Sequence, residues 1–171
     1  MTDKFEGYIA NAIHWAQAQL GSAAYPFRCL AFVEDAYERA NRVEIFGGST
    51  ATESADEYDA RSNREHLPPR GAFVFYECFG PLQGEYQNWG HVGLCLGEAQ
   101  VIHAWDKVRQ DHYLDVERLT PAPGWSAPRY IGWTWVERIF VGYREKERKR
   151  ANRGPAMARN MRVSRSGGMV V

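Results

Sequence analysis

The chain has 171 residues, of which 44% are hydrophobic and 25% charged, a composition that fits one soluble globular domain and excludes disordered, collagen-like and repeat proteins. No apolar run reaches the roughly 18 residues of a membrane span, and the N-terminus lacks the pattern of a signal peptide. Three irregularly spaced cysteines form no disulfide framework, so we expect a cytoplasmic protein.

The 21 basic and 21 acidic residues cancel overall but are unevenly distributed. Residues 1–143 carry 12 basic and 19 acidic side chains, whereas residues 144–171 carry 9 basic and 2 acidic ones. We predict a folded domain over 1–143 and a basic, largely disordered tail over 144–171. The tail is interpreted as a solvated terminus, with contact to a polyanion as the alternative. The acidic domain shows no nucleic-acid-binding motif, so nucleic acid is not a favoured partner.

Two amphipathic helices are predicted near the N-terminus. Apolar residues recur at three-to-four spacing over residues 5–20, and Gly21 ends the pattern. A second helix with one apolar face is predicted over residues 29–40. A weaker signal follows, in which Ser54 and Glu57 resemble a capping box at the start of a short helix.

Five runs typical of strands follow the helices. They are rich in β-branched and aromatic residues, and they cover residues 72–76, 89–96, 99–105, 130–136 and 139–143. Helices first and closely connected strands afterwards predict an α+β fold, in which N-terminal helices pack on an antiparallel β-sheet.

Cys29 is the first candidate for chemistry, because it lies where a turn meets the start of the second predicted helix. Free amides at a helix N-terminus favour a thiolate, and the adjacent Arg28 acts in the same direction, so we expect a lowered pKa for this thiol. The alternative is a small buried apolar residue, which is also our interpretation of Cys95. Cys78 has no visible partner.

A nucleophilic thiol needs a base, and the base needs an orienting group. His91 and His103 lie twelve residues apart on successive predicted strands. A three-residue turn at Leu96-Gly97-Glu98 would place them directly opposite each other on one face, whereas a two-residue turn at Glu98-Ala99 would put them on different faces. The remaining histidines are interpreted as surface residues: His14, His66 and His112.

The order of these features resembles the NlpC/P60 family of papain-like cysteine peptidases and amidases. The resemblance is carried by AIHWAQAQLG, YPFRCLAFVEDAYERA, LPPRGAFVFY, GHVGLCLG and VIHA, which together span about residues 12–105. It implies a papain-like α+β core with Cys29 as the nucleophile, His91 as the general base and His103 as the polar residue that orients the base. It also implies that Tyr25 lines the site near the oxyanion position.

Two departures from the family pattern concern the substrate. The family usually has Asp-Cys-Ser-Gly at the nucleophile and Gly-Asp-Leu at the following strand, whereas this chain has Arg28-Cys29-Leu30-Ala31 and Gly71-Ala72-Phe73. In members that cleave peptidoglycan, the first of these Asp residues faces the free amine of the stem peptide. Arg28 reverses that charge, which disfavours a standard stem peptide. Arg28 is still predicted to lie in the substrate-binding site.

The tryptophans suggest both cleft walls and core. Trp89 and Trp105 flank the two histidines, and we predict that they bind substrate as walls of the cleft. Trp133 and Trp135 have period-two spacing, which predicts the buried face of a strand rather than a platform for sugars or bases.

Three functions remain open from these residues. The leading hypothesis is a cysteine hydrolase of a small peptide or amide, a cell-wall peptide among the candidates, with the Cys29 amide as one oxyanion donor. The alternative is a catalytically inactive papain-like binding module, which the changed residues around Cys29 favour. Zinc binding by His91, His103 and Cys95 is weaker, because no Asp or Glu shares their faces. We expect no cofactor, no metal and no membrane partner.

Overall fold

The structure is a computed structural model that describes residues 3–148. Its helices are α1 (Asp3–Ala18), α2 (Cys29–Asn41), α3 (Ala51–Glu57) and α4 (Val136–Ile139). Its strands are β1 (Val43–Glu44), β2 (Phe73–Glu77), β3 (Phe79–Leu82), β4 (Glu85–Asn88), β5 (His91–Gly97), β6 (Gln100–Ala104), β7 (Val108–His112), β8 (Arg129–Thr134) and β9 (Arg144–Glu145). Over this range, no helix is long and apolar enough to cross a membrane.

Five strands form the central antiparallel sheet, in the order β7-β6-β5-β2-β8. Along β2, Phe73 and Phe75 point to one face and Val74 and Tyr76 to the other, as the period of two requires. Each face therefore supports its own hydrophobic cluster. The fold is α+β, with the N-terminal helices against the sheet, which confirms the predicted class.

The helices cover the face of the sheet to which Phe73 and Phe75 point. Four consecutive inward positions of α2 are buried: Phe32, Val33, Ala36 and Tyr37. The Tyr37 hydroxyl donates to the carbonyl oxygen of Gly71 at 2.6 Å, which ties α2 to the start of the sheet. Helix α2, which begins at Cys29, is thereby held against the sheet that contains β5.

The prediction of a strand over residues 139–143 is wrong. Val136, Ile139 and Phe140 are buried at spacings of three and four, which is the period of the helical turn α4. Phe140 stacks on Tyr8 of α1, with ring centroids 5.3 Å apart. Packing between two segments far apart in the sequence therefore decides the structure of a short apolar run that local pattern left ambiguous.

The sequence prediction for the two neighbouring tryptophans is half right. Trp133 is buried in β8, as expected, and its indole N–H donates to the His66 carbonyl oxygen at 2.8 Å. Trp135 is 49% exposed, because β8 ends at Thr134 and the chain turns into α4. The alternation of side chains between the two faces therefore ends with the strand at Thr134.

Helix α3 starts one turn before the predicted capping box. Thr50 is the N-cap residue, and its hydroxyl accepts a hydrogen bond from the Glu53 backbone N–H at 3.1 Å. The Glu53 carboxylate in turn accepts the Ser49 backbone N–H at 2.8 Å. Helix α3 thereby holds the segment from Gly48 to Ala51 beside the N-terminus of α2, where both line a shared cavity.

The predicted tail falls mostly outside the described residues, since these end at 148. Its first two residues, Arg144 and Glu145, form β9 and pair with Val43 and Glu44 of β1. The division into a domain over 1–143 and a tail over 144–171 stays a prediction.

Candidate active site

Cys29 is the first residue of α2 and, together with His91, it lines a cavity of about 820 Å³. The turn before it is tight, since Phe27 has a φ of 53°, a conformation that is uncommon for a bulky residue. Arg28 is the N-cap residue, but its side chain makes no capping hydrogen bond. The first amides of α2 therefore stay available to the sulfur or to a ligand.

Burial raises the pKa of the Cys29 thiol to about 11. The backbone N–H groups of Val92, Leu30 and Cys29 itself lower this pKa, but by less, and the charge of Glu34 raises it again. The expected lowering is therefore wrong in its net direction, because the loss of solvent outweighs the helix N-terminus. At neutral pH Cys29 is a thiol that needs a base to remove its proton.

We expect iodoacetamide to alkylate Cys29 at pH 7 about 100-fold more slowly than a solvated cysteine, because so little thiolate is present. The rate should rise continuously above about pH 8. Mass spectrometry of the Cys29 peptide measures it separately from Cys78, whose pKa burial also raises to about 11. A rate plateau between about pH 5 and 7 would contradict this and indicate a resting thiolate–imidazolium pair.

His91 and His103 lie side by side on β5 and β6. Nε2 of His91 and Nδ1 of His103 are 2.8 Å apart, and the two rings meet edge to face with centroids 4.9 Å apart. Both side chains are buried. Trp105 meets the His91 ring edge to face at 5.1 Å and restricts its position further. The two predicted histidines thus share a face and contact each other directly.

The predicted three-residue turn at Leu96-Gly97-Glu98 is wrong. The turn between β5 and β6 has two residues, Glu98 and Ala99, both with positive φ. A two-residue turn alone would have put the histidines on different faces. A β-bulge between Cys95 and Gly97 adds one residue to β5 and restores the shared face.

The strand register explains how the histidine rings reach each other. Because Leu94 pairs with Ile102, the residue opposite His103 is Gly93, and His91 is a diagonal neighbour. A Cβ atom at Gly93 would lie 3.2 Å from the His103 Cβ. Glycine at this position leaves space beside His103 for the ring of His91.

Asp111 on β7 is a candidate that the sequence analysis missed. Its Oδ2 lies 2.8 Å from His103 Nε2, and Arg109 donates to both carboxylate oxygens, from Nε at 2.8 Å and from Nη2 at 3.1 Å. The hydrogen bond from His103, together with Arg109, holds the pKa of Asp111 well below its usual range. The available signal was the alternation of Arg109 and Asp111 on a polar strand next to the one that carries His103.

An ionised Asp111 fixes where the protons lie along this chain, because a carboxylate can only accept hydrogen bonds. His103 must therefore carry its proton on Nε2 and accept at Nδ1. His91 must donate from Nε2 to that nitrogen, so Nδ1 is the ring nitrogen of His91 left free to accept a proton. These positions follow from the hydrogen-bond partners.

Burial keeps both histidines neutral. It lowers the pKa of His91 well below the ordinary value, and the nearby His103 lowers it further. Burial also lowers the pKa of His103, although the hydrogen bond with Asp111 acts in the opposite direction. His91 is thus unprotonated over the neutral pH range and able to act as a base.

The cavity beside Cys29 and His91 is largely apolar and aromatic. Its aromatic lining consists of Phe27, Trp89, Trp105 and Trp125. Phe27 and Trp125 stack at a centroid distance of 5.3 Å. Trp125 also lies against the backbone of Gly80, where a Cβ atom would come within 2.0 Å of the indole. Glycine at position 80 therefore allows this wall to form.

Three of the four residues predicted to bind substrate line this cavity: Arg28, Trp89 and Trp105. Both indoles are fixed by hydrogen bonds to backbone carbonyl oxygens, from Trp89 to Gly80 at 2.9 Å and from Trp105 to Thr120 at 3.1 Å. The walls are therefore set before any substrate enters.

Tyr25 is the fourth predicted substrate-binding residue, and it is not among those that line the cavity. Its hydroxyl donates to Asp35 at 2.7 Å, and its ring packs edge to face against Phe32. The guanidinium of Arg28 lies over the same ring, 5.7 Å from its centroid. In this structure Tyr25 supports Arg28 and α2.

The other two cysteines differ in position. Cys78 is buried and lines the cavity, with its sulfur 3.6 Å from the Ser126 carbonyl oxygen. Cys95 is buried in the second hydrophobic cluster, as the sequence predicted. Among residues 3–148, no group of three or more His, Cys, Asp or Glu side chains is placed to hold a metal ion, so the zinc alternative gains no support.

The model of the NlpC/P60 family matches residues 16–120, which is more than half of the chain. That range contains all three candidate residues, Cys29, His91 and His103, as well as Asp111. No curated protein matches the chain.

Two solved structures from Trichomonas vaginalis resemble this one. NlpC2 is 21% identical, with a TM-score of 0.45, and the match covers 76% of this chain and 48% of that one. NlpC1 is 18% identical, with a TM-score of 0.46, and the match covers 76% of this chain and 46% of that one. The matched region thus spans about half the length of each solved chain.

Proposed function

Because the chain belongs to the NlpC/P60 family, we propose that it is a cysteine hydrolase that cleaves an amide bond. Cys29 is the nucleophile, His91 the general base, and His103 orients His91. The observation that carries the proposal is that a neutral His91, held by His103, lines the same cavity as Cys29. Base and nucleophile thus share a largely apolar cavity, in which proton transfer and attack can be coupled.

The reaction begins when the amide carbonyl of the substrate approaches Cys29. Nδ1 of His91 takes the thiol proton while the sulfur attacks the carbonyl carbon, which pushes one electron pair onto the oxygen. The free backbone N–H groups at the start of α2, those of Cys29 and Leu30, stabilise the resulting oxyanion. The C–N bond then breaks, and His91 returns the proton to the departing amine.

Hydrolysis of the thioester completes the cycle. His91 removes a proton from water, the hydroxide oxygen attacks the acyl carbon, and the C–S bond breaks. The Cys29 sulfur recovers a proton from His91, so the enzyme returns to its starting state. His103 and Asp111 hold the imidazole in one orientation and one tautomer through both halves of the reaction.

The residues of the cavity define the substrate less directly than they define the type of reaction. The family supports a peptide or cell-wall amide, whereas Arg28 and Leu30 replace the residues usual beside the nucleophile. An acyl or amine group with apolar character suits the aromatic walls around Cys29. We propose a small peptide or peptide-like amide that differs from a standard stem peptide.

A catalytically inactive binding module is the second candidate. It is favoured by the raised pKa of Cys29 and by the changed residues on either side of it. Such a protein would bind the same ligands in the same cavity without turnover. It differs from the enzyme in one measurable respect, which is that no bond is broken.

The test is to incubate the full chain with a panel of peptides and N-acyl amides, cell-wall peptides included. Release of primary amine detects hydrolysis, and intact mass spectrometry after acid quenching detects an acyl group on Cys29. We expect one class of substrate to give both signals. Binding of a panel member with neither amine release nor an acyl adduct would favour the inactive module.

A further inference from the structure

Glu34 lies in the same cavity as Cys29, on the same helix. The two residues are five positions apart in α2, which corresponds to about 7.5 Å along the helix axis. The charge of Glu34 raises the pKa of the Cys29 thiol and that of the Tyr58 hydroxyl. Glu34 is therefore close to the place where a substrate must bind.

The carboxylates near Glu34 have partners, whereas Glu34 does not. Asp35 accepts the Tyr25 hydroxyl at 2.7 Å and pairs with Arg39 at 3.2 Å. Glu38 accepts the Ile45 backbone N–H at 3.0 Å. Within residues 3–148, the carboxylate of Glu34 makes neither a hydrogen bond nor an ion pair. Because Glu34 lines the cavity, its carboxylate oxygens can accept hydrogen bonds from a ligand bound there.

The surroundings of Glu34 favour a positive partner. Burial, together with the charges of Glu38 and Asp35, raises the pKa of this carboxyl to about 7. Arg28, a cationic residue that lines the cavity, has its guanidinium over the ring of Tyr25. A cation brought by a ligand would stabilise the ionised form of Glu34 at this partly buried position.

We propose that Glu34 binds a protonated amine carried by the substrate, which makes it a residue that determines specificity. This inference rests on the proposed function, since it places the amine relative to the bond that Cys29 attacks. Glu34 and Cys29 line the same cavity, so one substrate can place its amine at Glu34 and its scissile carbonyl at Cys29. Small neighbours, Ala31, Gly48 and Ala51, leave room for it.

The test uses two thiol reagents of opposite charge, because they report the charge near Cys29 without any turnover. The cationic reagent is 2-(trimethylammonio)ethyl methanethiosulfonate, and the anionic one is 2-sulfonatoethyl methanethiosulfonate. At about pH 8, Glu34→Gln should lower the ratio of cationic to anionic modification rates at Cys29 by about fivefold or more. Peptide mass spectrometry separates Cys29 from Cys78. The variant should fold, since it removes a partly buried charge.

Glu44→Gln is the matched control. It removes the same charge from an exposed residue of β1 that does not line the cavity, so the rate ratio should stay within about twofold of the wild type. An equal ratio in the two variants would overturn the proposal. The proposed hydrolysis could still be correct in that case, because Cys29 modification and amide turnover are measured separately.

A second measurement covers the case in which neither reagent reaches Cys29. In amide NMR spectra, n-propylammonium should shift the signals of Glu34 and Ala31 in the wild type, and propionate should not. Glu34→Gln should lose the response, and Glu44→Gln should keep it. Equal responses of the wild type and Glu34→Gln would also overturn the proposal.

Discussion

Replacing Cys29 by alanine is expected to lower kcat/KM for the hydrolysed amide at least about 1,000-fold. Without the sulfur, no thioester forms, and the remaining oxyanion donors and cavity walls accelerate only a slow attack by water. The fold should persist, because the substitution removes one half-buried atom at the end of a helix. Amine release measures the activity, and thermal unfolding checks the fold.

Cys78→Ala provides the matched control for this loss. Cys78 is a second thiol in the same cavity, but it is not at a helix start, and its sulfur lies near the Ser126 carbonyl oxygen. We expect this variant to keep activity within about threefold of the wild type. If Cys29→Ala stayed active while Cys78→Ala did not, the nucleophile would have been assigned to the wrong cysteine.

Much of the fold could be predicted because its main elements are locally encoded. The apolar spacing in α1 and α2 and the β-branched runs in β2, β5 and β6 are each sufficient to indicate an element and its buried face. Prediction failed where packing decides. Phe140 packs on Tyr8, which lies far earlier in the sequence, and no local pattern encodes that contact.

The candidate site could be predicted in part, for a related reason. The spacing of His91 and His103 indicated two strands whose histidines share a face, and the structure has them 2.8 Å apart. The connection between the two strands differs from the prediction, since the turn has two residues and a bulge at Leu96 restores the shared face. A bulge leaves little trace in a sequence, so register can be anticipated less well than strand identity.

The state of the Cys29 thiol could not be predicted from the sequence. A helix start and a neighbouring Arg28 are visible in the sequence, and both favour a thiolate. Burial is a property of the assembled domain, and here it dominates the pKa of Cys29. In the mechanism that we propose, His91 therefore removes the proton during attack, and no resting thiolate is needed.

Asp111 escaped prediction because β7 lacks the composition of a strand. Its central residues, Arg109, Gln110 and Asp111, are polar, since β7 is an edge of the sheet with one side toward solvent. Pairing with β6 places Asp111 next to His103. The hydrogen-bond chain that runs from Asp111 through His103 to Nε2 of His91 follows from this pairing. The tautomers of the two histidines can be tested.

Asp111→Asn is expected to lower kcat about 10- to 100-fold with little change in KM. An amide can donate to His103 Nε2, which moves the His103 proton to Nδ1. His91 Nε2 must then accept, so its proton moves to Nδ1, the nitrogen that should receive the thiol proton. The substitution also removes one of the two carboxylates that pair with Arg109, while Asp106 remains. Imidazole ¹⁵N NMR measures the tautomers of His91 and His103 directly. In the wild type we expect both rings to carry their proton on Nε2.

Two further variants separate this positioning role from a structural one. Asp115→Asn removes the same charge from an exposed ion pair with Arg118 and should change neither kcat nor the tautomers. Asp111→Glu keeps an acceptor-only group and should retain the wild-type tautomer with part of the activity. If Asp111→Asn kept both the tautomers and kcat of the wild type, Asp111 would have only a structural role in β7. Loss of kcat with an unchanged tautomer would mean that its charge, rather than its control of proton position, supports His91.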